Sequence, residues 1–208
     1  MKRIAVIADI VSSKRIKNRA EVQKKLQSAF RRINKNSSVI SPYTITLGDE
    51  FQAVYDKADF LFKDIWQIIY SVHPVKIRFS IGVGEISTRI NRKQAIGMDG
   101  PAFYNARKGL EELKNTGYLL NIIFEESNNT EICRQSLYLI SHFAENWKET
   151  RVKILTMLHE GLMPKEIASR MAVTDKAVYK NITSGALYVV LNLTTEIAKQ
   201  INKSLQKK

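Results

Sequence analysis

The sequence predicts an α+β protein, with a ferredoxin-like βαββαβ unit over residues 1–128 and an all-α unit over residues 129–208. Three observations carry that expectation. Short apolar or alternating runs of strand length interleave with segments whose apolar residues recur at helical spacing. Their order is β-α-β-β-α-β, the split unit in which two crossover helices join strands of one sheet. Beyond Phe124 the strand signals stop while the helical ones continue.

Each element has its own signal. Residues 3–9 form the first strand, an apolar run closed by Asp9. Residues 19–36 carry Val22, Leu26, Ala29, Phe30 and Ile33 on one helical face. Residues 40–46 and 51–55 flank Gly48, Asp49 and Glu50 as a hairpin with acid at its tip. Residues 57–72 place Phe60, Leu61, Ile65, Ile68 and Ile69 on a second helix, which Pro74 stops. Val75, Ile77, Phe79, Ile81 and Val83 alternate through a strand at 75–83. Pro101 opens a helix over 101–114, and 119–124 is another strand. The polar stretch from Glu125 to Thr130 marks a boundary. Residues 131–147 are helical, and 148–208 hold further helices with no strand.

Composition narrows the partners. The chain has 208 residues, 44% hydrophobic and 25% charged, as in a soluble globular protein. Lys and Arg number 33 against 20 Asp and Glu, a net charge of +13 that favours polyanions. The single cysteine, Cys133, allows no intramolecular disulfide and suits a reducing cytoplasm; its apolar helical neighbours mark it as a buried structural thiol. The first apolar run is broken at Asp9, too short for a signal sequence or a membrane span. His73, His142 and His159 are scattered without metal-ligand spacing.

In the split unit the first strand lies beside the third, antiparallel, so Asp9 and Asp49 reach the same end of the sheet although 40 residues apart. Two carboxylates at strand ends can share a hard divalent cation such as Mg²⁺, whose remaining ligands are water and substrate phosphates. The turn after Asp9 offers Ser12, Ser13 and Lys14 with backbone N–H groups, a combination suited to phosphate oxygens. The helix that follows is strongly basic, with Lys17, Arg19, Lys24, Lys25, Arg31, Arg32 and Lys35 against Glu21. Such a face is either solvated or a ligand contact.

Ala8-Asp9-Ile10-Val11-Ser12-Ser13, Leu47-Gly48-Asp49-Glu50-Phe51, the strand Lys76–Glu85 and Gly100-Pro101-Ala102-Phe103-Tyr104-Asn105-Ala106-Arg107 occur in this order. The series resembles the catalytic domain of class III nucleotidyl cyclases and, more loosely, GGDEF-type diguanylate cyclases. The whole chain resembles the bacterial SatD family. The cyclase resemblance covers about residues 1–125. It implies that Asp9 and Asp49 bind Mg²⁺ or Mn²⁺, with the Ile10 carbonyl as a further contact. It also implies that Gly48 belongs to the nucleotide site, that Arg107 stabilises phosphate charge, and that a homodimer completes the site. Purine-selecting cyclases carry a lysine where this chain has Ile45 and an asparagine where it has Phe103, with Asn105 close by.

Residues 151–184 resemble the helix-turn-helix of LuxR-type regulators and of the last region of sigma factors. Gly161 ends a first helix, Pro164 opens a second, and Thr174 caps a third. The resemblance turns Lys176, Tyr179, Lys180 and Ser184 toward double-stranded DNA. The leading expectation is a DNA-binding transcriptional regulator with a metal- and nucleotide-binding sensor domain. The alternatives are a metal-dependent nucleotidyl cyclase or nucleotidyltransferase, and a protein-interaction module with a vestigial palm.

Overall fold

In the computed structural model, which describes residues 1–125 and 130–206, strand β1 (Lys2–Ile10) is buried from Ile4 onward on both of its faces. A strand apolar on both faces belongs in the middle of a sheet. β1 is flanked by β3 (Glu50–Tyr55) and β4 (Ile77–Glu85), antiparallel to both. β2 (Val39–Ile45) pairs with β3 at one edge, and β5 (Leu120–Phe124) runs parallel to β4 at the other, giving the order β2-β3-β1-β4-β5. The first four strands have the split βαββαβ order that the sequence predicts, and β5 extends it. Pro42 sits in β2, where the ladder shifts register on either side of Ser41; an edge strand tolerates a residue with no N–H.

Alternation divides the core in two. Ile4, Val6, Ala8 and Ile10 face α1 (Arg19–Ile33) and α2 (Leu61–Val72). Ala5 and Ile7 face α3 (Pro101–Thr116), where Ala102, Phe103, Ala106 and Leu110 receive them. α3 lies so close to β4 that a Cβ on Gly82 would sit 2.0 Å from the Ala102 carbonyl oxygen and 2.4 Å from the Ala106 nitrogen. Only glycine allows that approach. Behind the other face, Tyr55 donates to Asp64 at 3.0 Å, beside Tyr43 and Asn36. Burial pushes the Asp64 carboxyl up to about 6.

Five helices follow: α4 (Thr130–Ala144), α5 (Glu149–His159), α6 (Pro164–Met171), α7 (Asp175–Ser184) and α8 (Leu187–Gln206). They do not form a core of their own. Trp147 stacks on Trp66 of α2 at 5.7 Å, and Val152, Leu155, Val178, Ile197 and Ile201 continue the apolar cluster that begins under the sheet. Asn202 of α8 accepts from the Ala58 N–H at 2.8 Å and donates to Asp59 at 2.6 Å. That contact explains one difference from the sequence reading: α2 starts at Leu61 rather than residue 57, because a side chain 144 positions away holds the preceding turn. The boundary expected at 128–129 falls within residues 126–129, outside the described residues, but the core on its two sides is continuous. Helices α5, α7 and α8 thus contribute side chains to the same apolar cluster as the sheet.

Candidate functional site

Asp9 stands one residue before the end of β1, on the face of Ala5 and Ile7, 8% exposed. The register sets it level with Glu50 on β3 and with Arg78 on β4. Asp49 falls one step further along: the Ile10 N–H donates to the Asp49 carbonyl at 3.3 Å. Both aspartates therefore lie at one rim of the sheet, but the residue level with Asp9 on the next strand is Glu50, because side chains alternate faces along a strand. The sequence reading paired Asp9 with Asp49 alone and passed over Glu50. The parity of Val54, Gln52 and Glu50 against Ala5, Ile7 and Asp9 contains that information.

Cations close on these acids from two elements. Arg78 reaches the Asp9 carboxylate at 3.4 and 3.5 Å, and Lys114, in the last turns of α3, lies 3.6 Å away. Arg107 grips both Glu50 oxygens, at 2.5 and 2.8 Å. That pairing raises the Arg107 pKa and holds its guanidinium charged. Arg107, expected as a phosphate ligand, is thus engaged by a carboxylate. Asp49 is half-buried and has no cation partner among the described residues. Arg78 and Lys114 were missed by sequence reading. Arg78 was visible as the polar residue between Ile77 and Phe79; Lys114 reaches the rim only because α3 lies on Gly82.

At the hairpin tip Gly48 adopts φ +63°, and a Cβ there would lie 3.2 Å from the Arg19 guanidinium. Gln23 donates to the Gly48 carbonyl at 3.4 Å. The β1–α1 turn winds into one 3₁₀ turn, Ser13–Arg15, after Ser12 at φ 53°. Ser12 and Lys14 are exposed, whereas Ser13 is buried, which removes its hydroxyl from the surface the sequence reading gave it. Ile45 packs against the core, and Phe103 is 7% exposed in the cluster of Ala5, Ile7 and Ala106. Asn105 donates to the Val83 carbonyl at 3.2 Å.

Among the described residues no group of three or more His, Cys, Asp or Glu is arranged to hold a metal ion. Two aspartates at a rim suit a cation of the Mg²⁺ type, which takes one or two carboxylates and completes its shell with water and phosphate. No helix among the described residues is long and apolar enough to cross a membrane.

In the C-terminal helices Ala172 at φ 52° turns the chain between α6 and α7, and Thr174 accepts from the Ala177 N–H at 3.2 Å, the cap expected from sequence. Lys176, Tyr179 and Lys180 are exposed. Ser184, expected to face DNA, has its hydroxyl committed: it donates to the Lys180 carbonyl at 2.7 Å and accepts from Arg151 at 2.9 Å.

Similar proteins fall into two groups. The catalytic core of a rhodopsin-guanylyl cyclase with converted specificity, in complex with ATPαS, is 18% identical, with a TM-score of 0.42 over 58% of this chain and 76% of that one. Two structures of a bacterial light-regulated adenylyl cyclase are each 17% identical, with TM-scores of 0.39 and 0.41 over 59% of this chain. The aligned part spans 43% of those cyclase chains, less than half their length. No curated protein matches the chain. The SatD family model matches residues 3–201, nearly the whole sequence, and the chain belongs to the SatD family.

Proposed function

We propose that the sheet rim at Asp9 and Asp49 binds a nucleoside triphosphate together with Mg²⁺ or Mn²⁺. The observation that carries this reading is the meeting, at one rim, of two carboxylates from β1 and β3, the unpaired acid at the hairpin tip, and the cations Arg78, Lys114 and Arg107. Asp9 and Asp49 hold the cation, with the Ile10 carbonyl beside them; the cation supplies Lewis acidity toward a phosphate oxygen when bound. Ser12, Lys14 and Gly48 border the phosphates. Arg107 changes partner, from the Glu50 carboxylate to a phosphate oxygen, an exchange its forked donors suit equally well. Nucleotidyl cyclisation or transfer is the chemistry this set serves, and a homodimer is the assembly in which the resemblance completes it.

This reading is favoured over the DNA-binding regulator that led the sequence expectations. α5 to α8 are built into the shared core, and the hydroxyl of Ser184 is used within the protein.

A thermal-shift panel of the four nucleoside triphosphates, each with Mg²⁺ or Mn²⁺, tests the binding. A ligand at a hundred times its Kd stabilises the folded state by about 2.7 kcal/mol, roughly 5–10 °C for a chain of this size. Asp49→Ala abolishes that shift. An unshifted melt with every nucleotide and metal, or an equal shift in Asp49→Ala, overturns the reading. Chromatography of the incubated nucleotides then shows whether a cyclic product forms.

A further inference from the structure

Charge is unevenly spread over this chain. Residues 14–35 hold nine Lys and Arg and one acid, Glu21, a net +8 of the total +13. Residues 147–208 hold eleven and five, a net +6 over a segment almost three times as long. The dense segment is α1 and the turn before it.

α1 buries Val22, Leu26, Ala29, Phe30 and Ile33 against the sheet, so its apolar face is spent. Its outer face is exposed and cationic. Lys24, Arg31 and Lys35 fall at i, i+7 and i+11, one line along the helix and into the turn after it. Arg32, and before the helix start Lys14, Arg15 and Lys17, are exposed as well. Among the described residues none of these seven pairs with a carboxylate. The one acid, Glu21, is already held by Lys25 at 2.9 Å and by Asn18 at 2.8 Å. A single-sign field of this density, unrelieved by ion pairs, attracts a polyanion.

Three features choose among polyanions. A bilayer-binding helix needs a free apolar face to bury among the lipids, and α1 has none. A single-stranded nucleic acid is held by stacking on aromatic side chains, and the exposed face of α1 carries none. α1 is about 22 Å long for its 15 residues, and the ordinary diameter of a helix, about 10–12 Å, matches the roughly 12 Å major groove of B-form DNA. We infer that the outer face of α1 binds the phosphate backbone of duplex DNA without sequence preference. This surface is separate from α7, and of its cations only Lys14 also belongs to the nucleotide reading of the rim.

The test is fluorescence anisotropy of a labelled duplex of arbitrary sequence, titrated with the full chain across a salt series. Each phosphate contact contributes about 0.9 to the slope of log K against log salt. The triple variant Lys24→Gln, Arg31→Gln, Lys35→Gln is expected to lower that slope by about 2.7 and to weaken binding roughly tenfold or more at low salt. Its three side chains are exposed, and an unchanged melting temperature confirms its fold. The pair Lys176→Gln, Lys180→Gln on α7 leaves affinity and slope unchanged. The inference is overturned by absence of binding at low salt, by an unchanged slope in the triple variant, or by an equal loss from the α7 pair. Tighter binding to single-stranded DNA, to RNA or to phosphatidylglycerol vesicles overturns it as well.

Discussion

The sheet rim and the α6–α7 pair both display lysine and arginine, but they display them differently. At the rim, Arg78, Arg107 and Lys114 come from a strand and a helix and point inward onto carboxylates, one of which is 8% exposed. On α7, Lys176 and Lys180 stand out into solvent, with Asp175 at the helix start. Convergence is what gives a charge chemical leverage: the Arg78–Asp9 pair, with both partners at low exposure, is weakly screened, whereas solitary surface charges are strongly screened. A helix-turn-helix signature in the sequence reports local geometry. It does not report whether anything converges there.

The comparison breaks first if the C-terminal helices fold by themselves. Trp147→Ala removes the ring stacked on Trp66 and is expected to destabilise the whole chain by about 3–5 kcal/mol. Urea unfolding followed by circular dichroism and by Trp66 fluorescence should give one coincident transition. Two separated transitions would make α4 to α8 an independent unit.

The next effect contrasts a buried acid under the sheet with a half-buried base at the end of α5. Asp64 is held up to about 6 by desolvation, against an ordinary 3.8, so its folded form prefers the proton. Its contribution makes the protein more stable as pH falls from 6 toward 4. His159 is pushed down to about 4 by desolvation, with Lys63 adding to it, against an ordinary 6.5. Its folded form rejects the proton, and stability is lost as pH falls from 6.5 toward 4. Each is worth on the order of 3 kcal/mol, with opposite sign. The wild-type melting temperature should therefore be nearly flat between pH 4 and 6.5. Asp64→Asn should make the protein acid-sensitive across that window, and His159→Gln should make it acid-stabilised. Parallel profiles for the two variants would refute the opposition.

Smaller effects sharpen the rim itself. Glu50→Gln releases Arg107 and removes a carboxylate from beside the proposed phosphates. It should strengthen metal-free ATP binding severalfold, measured by calorimetry, while shifting stability by no more than about 1 kcal/mol, as for other half-exposed ion pairs. Unchanged or weaker ATP binding would detach Glu50 from the site. Lys176→Glu with Lys180→Glu should move stability by less than about 0.5 kcal/mol and leave nucleotide binding untouched.

The sheet was largely legible because its strands are short and strongly patterned. Ile4 to Ala8 reads as a central strand, and Ile77 to Val83 alternates cleanly. The rim aspartates were legible through topology. What escaped were quantities fixed by distance in space. The register that sets Glu50 level with Asp9 depends on where the hairpin turns, which Gly48 at φ +63° decides. The start of α2 depends on Asn202. The continuity of the core depends on Trp147 meeting Trp66, and no local pattern in either segment announces that meeting.

One absent methyl group has a mechanical consequence. Because the backbone of α3 lies directly on Gly82 and close to Gly84, the helix has no cushion of side chains there and sits on the strand like a beam on its support. Arg107 and Lys114 ride on that beam together. A Gly82→Ala replacement would pry the beam upward and carry both cations away from the acids in one movement. Evolution can therefore retune the two only as a pair, unless it changes the side chains themselves.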